Sequence, residues 1–156
     1  MNKLVIALAA VLCTSFYSAQ TDAYVKLKKA IELAHPEIST ENRLIAFNIW
    51  SVSDPESREA NKSFEKVYHT YEYARLTGGR RGIVVLVVNK DNLSGTAVIT
   101  LHKDGVDKCL SVKAEDLPEI SAGAHANMVF DSNGSEVYRD LPAASVFSEI
   151  QKLITR

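Results

Sequence analysis

Hydrophobic residues in this chain form two runs, of which the first is interrupted only at Asn48, and three stripes with helical spacing. The runs are Leu44–Trp50 and residues 83–88, and polar residues bound both of them. Runs that are apolar on both faces are typical of central strands in a parallel sheet covered by helices on each side. The stripes repeat every three or four residues, as in helices with one buried face: Tyr24, Leu27, Ile31 and Ala34; Phe64, Val67, Tyr68 and Tyr71; and Ala143, Val146, Phe147, Ile150, Leu153 and Ile154.

The first run leads into a polar turn and then into a helix with a clear start. Asp54 precedes Pro55 at the point where the helical pattern begins. Aspartate is a strong N-cap, and proline suits the first helical position because the N–H that it lacks would be unpaired there. We therefore predict strand, turn and helix in this order, with the helix beginning at Pro55 and stopping at Gly78.

The second half of the chain predicts a further helix, a short strand and a hairpin. Residues 96–101 have the composition of a strand, but a crossover between parallel strands needs a helix here, and we predict a helix. Residues 107–112, which include Cys109, predict a short strand in which the thiol is buried. Asn133-Gly134 between two extended segments is a strong hairpin signal. A closing helix follows Pro142.

The first residues have the layout of a secretory signal peptide. Lys3 precedes a short apolar run, and small and polar residues follow up to Ala19 and Gln20. The apolar run is too short to span a bilayer. We expect a signal peptide over residues 1–19, cleavage near Ala19–Gln20, and one domain over residues 20–156. The ending resembles signal peptides of Bacteroidetes-type bacteria, which implies a periplasmic or secreted protein; lipidation at Cys13 is the alternative.

Charge and cysteine content narrow the possible functions. The formal net charge of −1 is spread over the chain and predicts neither a nucleic-acid footprint nor a basic membrane-binding face. The chain has two cysteines, and cleavage of the signal peptide leaves Cys109 alone, which excludes an internal disulfide. The histidines His35, His69 and His102 have no metal-ligand spacing. We expect no cofactor and no metal.

The segment Asn48-Ile-Trp-Ser-Val-Ser-Asp-Pro-Glu-Ser-Arg58 resembles the strand-to-helix junction of thioredoxin-like proteins, in particular the secreted TlpA/ResA-like branch. In that family the junction carries Cys-x-x-Cys followed by a basic residue. Here Asp54 matches the first cysteine, Ser57 the second and Arg58 the basic residue. Dithiol chemistry at this position is excluded, because neither a mixed disulfide nor its resolution is possible without sulfur.

The resemblance resumes at Gly123-Ala-His-Ala-Asn-Met-Val-Phe-Asp131. It implies an α/β thioredoxin-like fold of three layers, in which helices cover both faces of a mixed sheet of parallel core strands and a C-terminal hairpin. His125 matches the cis-proline of the family, and we expect a trans bond there because a cis bond before a residue other than proline costs about 3–4 kcal/mol. If the fold is right, His125 lies near Asp54. The pair could act with Ser53 or Ser57 in hydrolysis, or form a surface hydrogen bond at a degenerate site.

Two functions from different classes remain open. The first is a non-catalytic module that binds a peptide or protein in the ancestral substrate groove. The second is a thiol-disulfide redox protein acting through Cys109 alone, which requires an exposed thiol with a lowered pKa. The groove is expected to consist of Trp50, Ser53, Asp54, Pro55, Ala124, His125 and Ala126.

Overall fold

Five strands form one mixed sheet in the computed structural model, which describes residues 22–75, 82–91, 94–121 and 126–154. The strands are β1 (Leu44–Trp50), β2 (Ile83–Asn89), β3 (Leu110–Lys113), β4 (Asn127–Phe130) and β5 (Glu136–Arg139). Their order in the sheet is β3-β2-β1-β4-β5. The first three are parallel, whereas β4 and β5 run antiparallel to their neighbours. This is the mixed sheet with a C-terminal hairpin that the resemblance implies.

Helices cover both faces of the sheet. They are α1 (Asp22–Ala34), α2 (Pro55–Tyr71), α3 (Ser94–Lys103), α4 (Pro118–Ser121) and α5 (Ala143–Gln151). Side chains alternate between the two faces along each strand. Phe47 of β1 therefore packs with Tyr24 of α1 and Ile120 of α4 on one face, and Ala46 packs with Phe64 of α2 and Val146 of α5 on the other.

Both apolar runs are central strands, as predicted. Every residue of β1 and of β2 is buried, and the two strands pair in parallel from Leu44 opposite Ile83 to Trp50 opposite Asn89. Helix α3 is also confirmed, although its sequence has the composition of a strand. It connects β2 to the parallel β3, and this topology prevails over the weak local preference for a strand.

Two predicted boundaries are wrong. Helix α2 ends at Tyr71, and Glu72 caps it, so it is shorter than a helix that continues to Gly78. The chain leaves the helix there because the Ala74 carbonyl accepts a hydrogen bond from the N–H of Gly82, at the approach to β2. The short strand begins at Leu110, so Cys109 lies immediately before it. Gly78 lies outside the described residues, as does the predicted signal peptide.

The three predicted stripes form most of the helical part of the core, except that Ala34 at the end of α1 is exposed. Tyr71 and Phe64 are buried and Tyr68 is half-buried, whereas Tyr73, which lies beyond the end of the helix, is 82% exposed. Across the ranges that the structure describes, no helix combines the length and apolar character needed to cross a membrane.

Candidate functional site

Helix α2 begins at the carboxyl end of β1, where its first turn is held by its own polar side chains. Asp54 has an extended backbone, with φ −106° and ψ 102°, and its Oδ1 accepts a hydrogen bond from the N–H of Glu56 at 3.1 Å. This confirms Asp54 as the N-cap and Pro55 as the first helical residue.

Ser57, which matches the second cysteine of the family, is buried and fully engaged. Its Oγ donates to the carbonyl oxygen of Asp54 at 3.0 Å and accepts from the N–H of Ser51 at 3.2 Å. A serine nucleophile needs an adjacent base, and the hydrogen of this hydroxyl points to a backbone carbonyl instead. Ser57 therefore serves the turn and the helix start.

The turn between β1 and α2 is tied to the loop after β2. Ser51 Oγ donates to Asp91 Oδ1 at 2.9 Å, and the N–H of Val52 donates to Asp91 Oδ2 at 2.6 Å. Burial acts to raise the pKa of the Asp91 carboxyl, but the hydrogen bonds from Val52, Ser51 and Asn89 outweigh it and hold this pKa below its ordinary value. Ser53 lies at the exposed tip of the turn, and its Oγ is 3.0 Å from Ser51 Oγ.

Two buried asparagines pair across the two strands at this end of the sheet. Asn48 of β1 lies opposite Asn127 of β4. The Asn127 amide is satisfied, because its Nδ2 donates to the carbonyl of Leu141 and its Oδ1 accepts the N–H of Leu141, both at 2.9 Å. Asn48 Nδ2 donates to the carbonyl of Ser57 at 2.9 Å and to Asn61 Oδ1 at 2.8 Å. A polar layer thus joins β1, β4 and α2 under the helix start.

A groove of about 300 Å³ opens above this layer. Asp54, Glu56 and Ala60 of the α2 region form one wall, Asn48 and Asn127 contribute from the sheet, and Ala126, Lys90 and Leu141 complete the lining. A larger groove of about 550 Å³ lies at the carboxyl ends of β2 and β3, between Val98 and Lys113. Only the smaller one contains Asp54 and Ser57, so it is the candidate site.

The structure brings together some of the residues predicted for this groove. Asp54 and Ala126 line it, together with Ser57 of the degenerate site, and Pro55 and Ser53 lie exposed beside it. Trp50 is wrongly predicted as a groove residue: its side chain has 0% exposure and packs against Val87 and the buried face of α3. The even-numbered residues of β1 face the layer that contains α2 and α3, and Trp50 reaches the part that α3 covers. Ala124 and His125 lie outside the described residues.

Cys109 lies in an environment that suppresses thiolate formation. Burial raises the pKa of its thiol, and the nearby Glu65 carboxylate raises it further. The backbone N–H of Cys109 donates to Glu65 Oε2 at 2.9 Å. The Cys109 residue is half-buried, and its thiol pKa is shifted in the direction opposite to the one that monothiol chemistry requires.

Helix α2 also carries two charged residues that hold the loop before β3. Arg58 donates two hydrogen bonds to Asp104, from Nε at 2.7 Å and from Nη2 at 2.6 Å. Glu65 is 5% exposed and accepts N–H groups of Lys108 and Cys109. Sequence reasoning missed Glu65 because the backbone groups that it binds lie more than forty residues away. The one local signal is that a glutamate stands on the face of the helix that is otherwise apolar.

The three histidines within the described residues each have a polar partner. His35 contacts the carbonyl of Ser111, His69 lies 3.0 Å from Glu65, and His102 lies 2.9 Å from Asp107. In the parts of the chain that the structure describes, no group of three histidine, cysteine, aspartate or glutamate side chains could hold a metal ion.

Solved structures with this architecture are thiol-disulfide oxidoreductases and thioredoxin-like proteins. The thioredoxin domain of a thiol-disulfide oxidoreductase from Bacteroides vulgatus matches with a TM-score of 0.59 and 13% identity, over 74% of this chain and 82% of that one. A thioredoxin-like protein from Parabacteroides distasonis matches with a TM-score of 0.55 and 18% identity, over 74% of this chain and 86% of that one. A secreted disulfide oxidoreductase from Mycobacterium tuberculosis matches with a TM-score of 0.58 and 7% identity, over 73% of this chain and 84% of that one.

These likenesses establish the fold. The protein has the thioredoxin-like fold, and StoA from Bacillus subtilis also matches it, with a TM-score of 0.51. No protein-family model matches the sequence, and a search of curated proteins gives no significant match.

Proposed function

We propose that this protein is a non-catalytic thioredoxin-like module that binds a peptide or protein segment in the groove at the start of α2. The observation that carries the proposal is the use of Asp54 and Ser57. Asp54 caps the helix, and the hydroxyl of Ser57 is shared between two backbone groups. The positions that match the two cysteines of the family thus maintain the shape of the groove and offer no nucleophile.

The size of the groove supports a ligand that inserts one or two side chains. About 300 Å³ lies at the lower end of the range for ligand pockets. Its lining mixes small apolar groups, such as Ala60 and Ala126, with charged ones at the rim, Glu56 and Lys90. Such a lining favours a segment that combines an apolar contact with polar ones.

We further propose that the protein works outside the cytoplasm. The signal-like N-terminal sequence supports this location, and two of the similar solved structures are described as secreted proteins, from Mycobacterium tuberculosis and Corynebacterium glutamicum. Protection of the domain from protease in intact cells, lost when the outer envelope is opened, would agree with a periplasmic location.

The alternative function, redox chemistry through Cys109, is tested by the reduction of insulin disulfides with dithiothreitol as the electron source. We expect the protein and its Cys109→Ser variant to match the dithiothreitol background, because the pKa of the thiol is raised. A rate above background that disappears in Cys109→Ser would replace the binding module with a monothiol enzyme.

Binding itself is tested with a phage-displayed library of random linear peptides and two tryptophan variants. Ala126→Trp places a large ring in the groove, at an exposed position whose backbone bonds are kept. Ala34→Trp makes the same change at an exposed position outside the groove. We expect enriched peptides to bind Ala126→Trp about tenfold more weakly and Ala34→Trp as well as the unchanged protein. Failure to enrich any peptide, or equal binding to both variants, would overturn the proposal.

A further inference from the structure

The two amide side chains beneath the groove have fixed orientations. Asn48 Nδ2 donates to the carbonyl of Ser57, which can only accept, so the nitrogen of Asn48 must point to α2. The same nitrogen then requires an acceptor from Asn61, whose Oδ1 lies 2.8 Å away. Neither amide can be flipped without placing two like groups against each other.

This arrangement leaves one acceptor and one donor unpaired. In the described part of the chain, Asn48 Oδ1 and Asn61 Nδ2 have no hydrogen-bond partner, although both atoms are enclosed. The side chains are 0% and 1% exposed. Buried amide groups are normally paired, and each unpaired group lowers stability. Asn127 beside them shows the usual outcome, with both of its polar atoms bonded to Leu141.

Asn48 is also part of the groove lining, next to Ser57 and the small side chain of Ala60. We propose that the ligand of this groove donates an N–H from an uncharged amide to Asn48 Oδ1. The inference rests on the proposed function and specifies the chemistry of the ligand at that site. Because Oδ1 is enclosed in the free protein, the contact forms as side chains at the groove shift on binding, a common change at interfaces.

The acceptor itself favours an amide over a cation. Asn48 Oδ1 is an enclosed oxygen of a neutral amide, whereas the carboxylates of Asp54 and Glu56 belong to the wall of the groove, where Lys90 adds a positive charge. A cation that reached Asn48 Oδ1 would exchange its hydration for a neutral acceptor. An amide loses less hydration free energy than a cation when it is buried. Its N–H can donate to Asn48 Oδ1 and its carbonyl can accept from Asn61 Nδ2, the two atoms that have no partner.

The test is a titration of the ¹⁵N-labelled protein with four small probes, followed through the side-chain amide signals of Asn48 and Asn61. Acetamide represents a side-chain carboxamide, and N-methylacetamide represents a peptide bond. N,N-dimethylacetamide lacks any N–H, and methylguanidinium carries N–H groups with a charge. We expect the first or second probe to shift both signals in a saturable way, with dimethylacetamide and methylguanidinium about tenfold weaker, as the loss of one hydrogen bond predicts.

Which of the two N–H amides binds more tightly distinguishes a carboxamide side chain from a backbone amide in the natural ligand. Asn48→Ala should abolish the selectivity, and the probe series on the unchanged protein remains decisive if that variant does not fold. Equal binding of all three amides, tighter binding of methylguanidinium, or no shift at Asn48 would overturn the inference. If peptides bind the groove but the probes show no amide selectivity, the proposed function stands and this inference fails. If the probes show amide selectivity but no peptide binds, this inference stands and the proposed function fails.

Discussion

The carboxylate of Asp91 accepts a hydrogen bond from the backbone N–H of Val52 at 2.6 Å, across 39 residues of sequence. Its other oxygen accepts from Ser51 Oγ. The loop after β2 thereby fixes the turn that leads into α2, and with it the position of Asp54. The geometry of the groove depends on a residue that does not line it.

Replacement of Asp91 by asparagine should destabilise the protein at neutral pH by about 1–3 kcal/mol, because two donors lose a charged acceptor. The pKa of Asp91 lies below its ordinary 3.8 in the folded state, so this stabilisation is complete above the unfolded pKa and is lost as the pH falls through the folded pKa. The difference between the two proteins should therefore shrink in acid. Urea unfolding at neutral pH and at a series of lower pH values measures it; a difference that grows in acid would contradict this account.

Glu65→Ala should be the more damaging change on α2. It leaves the partly buried N–H groups of Lys108 and Cys109 without their shared carboxylate acceptor, and we expect a loss of about 2–4 kcal/mol in unfolding free energy. The segment before β3 should open more often, so a thiol reagent should label native Cys109 faster than in the unchanged protein. Glu59→Ala, an exposed position on the same helix, is the matched control and should change neither quantity.

The pairing of Arg58 with Asp104 should depend on the planar fork of the guanidinium. Its two hydrogen bonds are the main cause that holds the pKa of Asp104 below the ordinary value, against the opposing effect of burial. Arg58→Lys keeps the charge but loses the paired geometry, and Arg58→Ala loses both. The pKa of Asp104, followed by carboxyl ¹³C NMR, should rise in the order unchanged, Lys, Ala. Equal pKa values in the unchanged protein and Arg58→Lys would show that charge alone matters and would contradict this account.

Two glycines of the α3 region should respond to alanine in opposite directions. Neither has a neighbour within 4 Å of an added Cβ, so only backbone conformation differs. Gly105 has φ +73° at the helix end, where its N–H and that of Val106 bond back to His102 and Leu101. Gly95 lies within the helix and has no such constraint.

Gly105→Ala should lower the free energy of unfolding by about 1 kcal/mol, because alanine avoids the left-handed region. Gly95→Ala should raise it by about 0.5–1 kcal/mol, because alanine favours the helix and restricts the unfolded chain. Thermal unfolding of the pair checks both values, and a change of the same sign in both would mean that the helix end is not held as described.

The sequence predicts the central strands well because their burial on both faces is visible in two apolar runs, the first interrupted only at Asn48. The start of α2 is equally predictable, since Asp54 and Pro55 are local signals that act on neighbouring backbone groups. For α3 the composition misleads, and the topology of parallel strands gives the right answer. The intrinsic preference of a short segment for strand or helix is weak compared with the topological constraint that a crossover must connect the parallel strands β2 and β3.

The composition of the groove was harder to predict. Trp50 ends a strand that is buried on both faces, and nothing in the strand itself indicates that α3 covers its side chain. The partners of Asp91 and Glu65 lie about forty residues away, beyond the range of any local pattern. Asn48 is visible in the sequence as a polar interruption of an apolar strand, but the unpaired oxygen follows only from the orientation that Ser57 imposes.

The cap of α2 has a consequence for how the protein responds to its surroundings. Asp54 and Ser57 hold the first turn through oxygen atoms, which take no part in thiol–disulfide exchange. A surface built in this way keeps one shape whatever the oxidant or reductant around it. A ligand that binds this surface under oxidising conditions would find the same shape under reducing conditions.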